Sequence, residues 1–125
     1  MTQRILIVDD AATVRMYHRA ILESAGYVVA EAVNGIEALE AAMNTDYDLY
    51  LVDVNMPKMD GYAFLRSLRG QAAVAQSPAV MISTEAEPVD RQKAFDAGAN
   101  LYLLKPTRPE NLLGVLRVLL GSPNL

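Results

Sequence analysis

Hydrophobic residues along this chain follow two alternating rhythms. Short unbroken runs of β-branched and aliphatic residues recur five times, and between them apolar residues return every three or four positions. The runs suit strands buried on both faces, and the spaced positions suit helices with one apolar side. The first run is Ile5-Leu6-Ile7-Val8. Val14, Tyr17, Ile21 and Leu22 then form a helical stripe that stops at Gly26, a C-terminal cap. Tyr27 to Ala30 predicts a second strand, Asn34-Gly35 a turn, and Ile36, Leu39 and Met43 one side of a second helix. Leu49 to Val52 predicts the third strand, which ends at Asp53. Past a loop holding Pro57 and Gly61, Phe64, Leu65 and Leu68 mark a third helix, and Gln71 to Ser77 a polar, alanine-rich connection. Ala79 to Ile82 predicts the fourth strand. Pro88 fits a first helical position, Ala94 and Phe95 are expected inward, and Gly98 lies where a left-handed cap belongs. Leu101 to Leu104 predicts the fifth strand. Pro109 opens a last helix with Leu112, Val115, Leu116 and Leu119 on its apolar side, and Ser122 to Leu125 are expected to fray.

Strands that alternate with helices make βαβ units, hence an α/β protein with a parallel sheet covered on both faces. At 125 residues and 52% hydrophobic, residues 1–125 read as a single domain with material for its own core, without linker or repeat. The absence of cysteine excludes disulfides, thiolate nucleophiles and sulfur-bound zinc, and a single histidine excludes histidine-rich metal clusters. Fifteen acidic against eleven basic residues, a net charge of −4, argue against a nucleic-acid partner. The most apolar tail segment, Leu112 to Leu120, is broken by Gly114 and Arg117, so no membrane span is expected. Ile5 to Val8 is too short for a signal-peptide core, and a cytoplasmic location is expected.

The chemistry lies at the strand ends. In open α/β sheets ligands bind in the crevice outside the carboxyl ends of the strands. Here those ends carry Asp9-Asp10, Asp53, Ser83-Thr84 and Lys105. If the first and third strands are neighbours, three carboxylates converge, and like charges that close need a cation among them. An all-oxygen set with no nearby histidine or cysteine suits Mg2+, with positions left open for phosphate oxygens. A lysine and a hydroxyl opposite supply a positive charge and a donor for a phosphoryl group. Asp53 is then a nucleophile, able to form an acyl phosphate without a general base because it is already ionised.

These motifs together resemble the receiver domains of bacterial two-component response regulators, over essentially the whole chain. The matching residues are Asp9-Asp10, the segment Asp53-Val54-Asn55-Met56-Pro57-Lys58-Met59-Asp60-Gly61, Ser83, and Lys105-Pro106. Because no output domain follows, the resemblance is to the stand-alone chemotaxis regulators, to which Thr13, Val14, Arg15, Glu85 and Tyr102 also correspond. It implies a three-layer, doubly wound, flavodoxin-like sheet of five parallel strands in the order 2-1-3-4-5. It also implies that a histidine kinase phosphorylates Asp53, and that Asp10, Asp53 and the Asn55 carbonyl bind Mg2+, with Asp9 acting through water. Ser83 and Lys105 would contact the phosphoryl oxygens, while Asn55, Thr84 and Glu85 gate the site. A Ser83 shift would couple to an inward turn of Tyr102 and reshape the face of the fourth helix, fifth strand and fifth helix, where a downstream signalling or motor protein binds. A monomer is expected, with dimerisation through that face on phosphorylation.

Several residues depart from the family pattern. Thr84 stands where alanine or glycine is usual and should narrow access to Asp53. Thr107 replaces the usual aromatic or aliphatic residue after Lys105-Pro106. Glu87, Pro88 and Arg91 differ from the helix start of flagellar-motor regulators. Bland roles exist for single residues: Asp9-Asp10 as a helix cap, Lys105 as a surface lysine, Tyr102 as a half-buried sheet aromatic, Met56 and Met59 as loop packing. His18, between Arg15 and Arg19, reads as a solvated helix residue without chemistry. A phosphohydrolase of the haloacid-dehalogenase type would want an aspartate at position 55, where Asn55 stands. A flavin carrier would need a phosphate loop where Asp9-Asp10 repel phosphate. A receiver that no longer switches would not need the full acidic pocket and lysine.

Overall fold

The computed structural model describes residues 2–121, so the fraying expected at 122–125 lies outside the described residues. Its elements run β1 (Arg4–Val8), α1 (Ala12–Ser24), β2 (Val28–Ala32), α2 (Gly35–Asn44), β3 (Leu49–Asp53), α3 (Gly61–Arg69), β4 (Ala79–Ser83), α4 (Pro88–Ala97), β5 (Leu101–Leu104) and α5 (Pro109–Leu120). All strand pairs are parallel, in the order β2-β1-β3-β4-β5. The expected three-layer, doubly wound sheet is therefore present.

Side chains alternate across a strand, so each strand feeds two cores. Ile5, Ile7, Leu49, Leu51, Val80 and Ile82 pack with Ile21 and Leu22 of α1 and Leu112 and Leu116 of α5. Leu6, Val8, Tyr50, Val52, Ala79 and Met81 pack with Ala38 and Ala42 of α2, Phe64, Leu65 and Leu68 of α3, and Ala94 and Ala97 of α4. Among the described residues no helix is long and apolar enough to cross a membrane.

Four local expectations are corrected. The second strand starts at Val28, not Tyr27, because the Tyr27 N–H still closes the end of α1 on the Leu22 carbonyl; pairing then runs to Ala32 opposite Val8. Asn34 is a helix cap rather than a free turn, its Oδ1 accepting from the Glu37 N–H at 2.9 Å. The inward side of α2 is Gly35, Ala38 and Ala42, leaving Ile36 and Met43 exposed; likewise α4 turns Asp90, Ala94 and Ala97 inward and leaves Phe95 45% exposed. In both helices small side chains let the backbone approach closely. A Cβ at Gly35 would sit 2.6 Å from Met59 Cγ, so a bulky stripe does not fit on that side. The fourth correction is His18, which is 2% exposed. Met56 and Met59 do pack against the core, as expected, and Gly98 caps α4 at φ 114°.

Arg69, the last residue of α3, ties α4 to the sheet. Its guanidinium donates to the Gly98 carbonyl at 2.9 and 3.1 Å and to the Ser77 carbonyl at 2.8 Å.

Tyr50 is fully buried with edge-on contacts to Tyr47 and Phe64, yet its hydroxyl has no hydrogen-bond partner among the described residues. Burial pushes that phenol up to about 12. An unpaired buried hydroxyl costs free energy, so Tyr50→Phe is expected to stabilise the domain by about 1 kcal/mol. The measurement is the urea midpoint, and a lowered midpoint would show that the hydroxyl is satisfied in solution.

Candidate functional site

Parallel pairing puts all strand C-termini on one edge, and β1, β3, β4 and β5 lie side by side there. Asp9 and Asp10 follow β1, while Asp53 and Ser83 are the last residues of β3 and β4. Lys105 follows β5, where its N–H donates to the Ser83 carbonyl at 2.8 Å. Carboxylate oxygens of Asp9, Asp10 and Asp53 all lie within 4.8 Å of one another. Asp9 and Asp53 are buried and Asp10 is exposed, so the cluster opens toward solvent through Asp10.

The capping role open to Asp9-Asp10 is not taken. Helix α1 begins behind Ala11 with no side-chain cap, and Asp9 Oδ1 instead accepts from the Ala11 N–H at 2.9 Å, fixing the carboxylate at the strand end. Arg15 donates to the Asp9 carbonyl at 2.8 Å, and so holds the same turn from α1.

Lys105 is not a free surface lysine. Its ammonium donates to Asp53 Oδ1 at 2.8 Å and to Asp9 Oδ2 at 3.1 Å. Burial pushes the Asp53 carboxyl up; the Lys105 bond opposes this, the charges of Asp9 and Asp10 add to it, and the net direction is upward. Burial pulls Lys105 down, but the bond and charge of Asp53, with those of Asp9, outweigh it and hold the ammonium above its usual range. One lysine thus faces three carboxylates, an unbalanced set with room for a cation. The donors are hard oxygens without nitrogen or sulfur, which fits Mg2+.

On the β4 side Glu85 joins three of the expected residues. Its N–H donates to Ser83 Oγ at 3.1 Å, and its carbonyl accepts from the Tyr102 hydroxyl at 2.7 Å. Its carboxylate accepts from Asn55 Nδ2 at 3.3 Å. Tyr102 is 5% exposed, with the Arg91 guanidinium 5.3 Å from its ring centre, so its ring points inward. The Ser83 hydroxyl keeps its own proton to donate. Thr84 is exposed and lines a groove of about 460 Å3 with Thr13, Val14, Tyr17, Lys105 and Thr107; the groove shares Lys105 with the acidic cluster but is lined by none of its three aspartates.

Sequence reasoning missed His18 and underrated Thr107. The imidazole Nε2 lies 3.0 Å from Thr107 Oγ1, and the neighbouring Tyr17 hydroxyl donates to the Thr107 carbonyl at 2.6 Å. The available signal was Thr107 itself, a polar residue at a usually apolar position.

The chain is similar to known proteins in sequence and in fold. The profile of the response regulator receiver domain matches residues 5–117. A gliding motility regulatory protein of Myxococcus xanthus is 42% identical over 102 residues, 82% of this chain but 13% of that protein. The structure of Vibrio cholerae chemotaxis protein CheY4 superposes with a TM-score of 0.90 at 37% identity, covering 96% of this chain and all of that one. The receiver domain of sensor histidine kinase PA1611 from Pseudomonas aeruginosa, with magnesium coordinated in its active-site cleft, superposes at 0.89 with 34% identity over 98% of this chain and all of that one. The chain spans 13% to 48% of the length of the curated relatives it matches, which include transcriptional regulators.

Proposed function

The chain belongs to the response regulator receiver domain family of two-component signalling, and from that premise we propose that Asp53 accepts a phosphoryl group from a histidine kinase. The observation that carries this reading is the Lys105 ammonium placed 2.8 Å from one Asp53 oxygen at the edge of a three-carboxylate cluster.

In this reading an Asp53 oxygen attacks phosphorus as the bond to the donor breaks, and the bonding pair leaves with the donor. The product is an acyl phosphate on Asp53. Asp10, Asp53 and the Asn55 carbonyl would hold Mg2+, which when bound would offset charge on the phosphoryl oxygens, and Asp9 would act on it through water. The magnesium in the cleft of the similar PA1611 receiver supports Mg2+ as the ion. Lys105 trades its carboxylate partners for a phosphoryl oxygen, and Ser83 donates to another. That donation uses the free hydroxyl proton, so a shift of Ser83 Oγ toward the phosphoryl group acts on the Glu85 N–H it accepts from, and the Glu85 carbonyl is the anchor of Tyr102. The route from phosphate to the face of α4, β5 and α5 is therefore a single residue long.

That face, with Val89, Phe95 and Leu104 exposed, is the proposed surface for a downstream protein and for dimerisation of an otherwise monomeric, cytoplasmic domain. A motility-type pathway is supported by the gliding-motility relative and the chemotaxis structure. The test is intact mass after incubation with acetyl phosphate, with and without Mg2+. A Mg2+-dependent gain of one phosphoryl group is the expected result. No gain, either from acetyl phosphate or from phosphorylated histidine kinase, would overturn the reading.

Thr84 then acts as a partial screen. Thr84→Ala is expected to speed phosphorylation by acetyl phosphate and hydrolysis of the acyl phosphate, each by a factor on the order of three to ten. Stopped-flow phosphorylation and decay of the isolated phosphoprotein read both rates, and unchanged rates would remove Thr84 from the gate.

A further inference from the structure

Thr107 is 4% exposed although it lies between two exposed residues, Pro106 and Arg108, in the connection from β5 to α5. Two neighbours on α1 hold it. The Tyr17 hydroxyl donates to its carbonyl at 2.6 Å, and His18 Nε2 meets its hydroxyl at 3.0 Å in a fully buried contact 89 positions apart in the chain. Burial pulls the imidazole below its ordinary range, Asp9 pulls it up and Lys105 down, with a net downward direction. The ring is then neutral at neutral pH, and either partner can donate the bond.

Lys105 lies two residues before Thr107. Its backbone is fixed on one side by the Ser83 carbonyl at 2.8 Å, and beyond it the connection is held to α1 through Thr107. Arg15, on the same helix, holds the Asp9 carbonyl. One helix thus fixes both ends of the Lys105–Asp9 pair. We propose that His18 is a positioning residue for the Lys105 ammonium, acting through its hydrogen bond to Thr107. The inference rests on the phosphoacceptor reading of Asp53 for its effect on rate, but not for its effect on the loop.

His18→Phe keeps ring volume and removes the bond, Thr107→Val removes it from the other side with little change of shape, and His18→Gln keeps a polar group near Nε2. At saturating acetyl phosphate and Mg2+, His18→Phe and Thr107→Val are each expected to slow phosphorylation on the order of tenfold. The double variant should be no slower than either single one, because both remove the same bond. His18→Gln should recover most of the rate. Mg2+ affinity from calorimetry should stay within about twofold of wild type, since the lysine is not a metal ligand. Exchange of the Lys105 amide, followed by NMR without metal, should quicken about tenfold as the loop loosens.

Wild-type rates in both His18→Phe and Thr107→Val would overturn the inference, as would Mg2+ affinity falling in step with rate, which would mark general damage to the site. If wild type itself takes no phosphoryl group, the phosphoacceptor reading fails and the amide decides alone. Faster exchange in Thr107→Val then upholds the positioning of Lys105, and unchanged exchange overturns it.

Discussion

Asp53→Asn will take up no phosphoryl group at any Mg2+ concentration, yet in metal-free buffer at pH 7 it will melt at a higher temperature than the wild type. The loss follows from chemistry, because an amide does not offer the ionised oxygen that attacks phosphorus. The gain follows from electrostatics. Burial, the largest effect on Asp53, lifts its carboxyl above the usual 3.8, and the Lys105 bond offsets only part of that. A carboxyl raised in the folded state adds stability below its unfolded pKa and loses it as pH rises through the folded value. At pH 7 the ionised Asp53 is therefore a net cost to the metal-free fold. Asparagine removes the cost, while Lys105 keeps Asp9 at 3.1 Å. The expected difference is a few degrees for a domain of this size. It should shrink as the pH approaches 4 and reverse in saturating Mg2+, which binds the wild type better. Calorimetry at the two pH values, with chelator or Mg2+, reads all three signs, and a variant that melts lower in chelator at pH 7 would refute the argument.

Gly61→Ala will cost about 3 kcal/mol of stability and much of the site's reactivity. Gly61 opens α3 directly beneath the end of β3. A Cβ there would overlap the Asp53 carbonyl oxygen, lie 3.1 Å from the Asp53 carbonyl carbon and 2.6 Å from Met81 Cε. The methionine end can move, but the strand backbone cannot without moving the Asp53 carboxylate. The Gly61 N–H also donates to the Val54 carbonyl at 2.9 Å, so the helix start cannot retreat freely. Gly114→Ala is the control: inside α5 and with nothing within 4 Å of its added carbon, it should stabilise by about 1 kcal/mol. Urea midpoints for the two variants should move in opposite directions.

Much of the site was legible because strands buried on both faces are continuous apolar runs, and the first polar residue after each run marks its end. Asp9, Asp53, Ser83 and Lys105 were found in that way, and the structure brings them to one edge. The faces of α2 and α4 were misread for a related reason. Periodicity weighs large residues such as Ile36, Met43 and Phe95, whereas close approach to a sheet selects alanine and glycine. His18 was illegible by position because Arg15 and Arg19 on the same helix suggest a solvated side. It is buried against Thr107, which no local pattern connects to it. Lys58 gives no cue at all to its positive φ of 68° in the loop after Asp53.

The Arg69 clamp bears on how α4 can move. Three hydrogen bonds pin the Gly98 and Ser77 carbonyls at the far end of that helix. Its near end begins at Pro88, after the exposed residues 84–87, and has no capping side chain. Nearer that end the Tyr62 hydroxyl reaches the Asp90 carbonyl at a long 3.5 Å, and a rod held more firmly at one end swings rather than slides. If phosphorylation displaces Glu85 as proposed, the expected motion of α4 is a rotation about Gly98, with the widest arc at Val89 and Arg91 and the least at Ala97. On the proposed reading the helix is a hinged lever whose fulcrum is a guanidinium, and its amplitude would be read at the tip nearest Glu85.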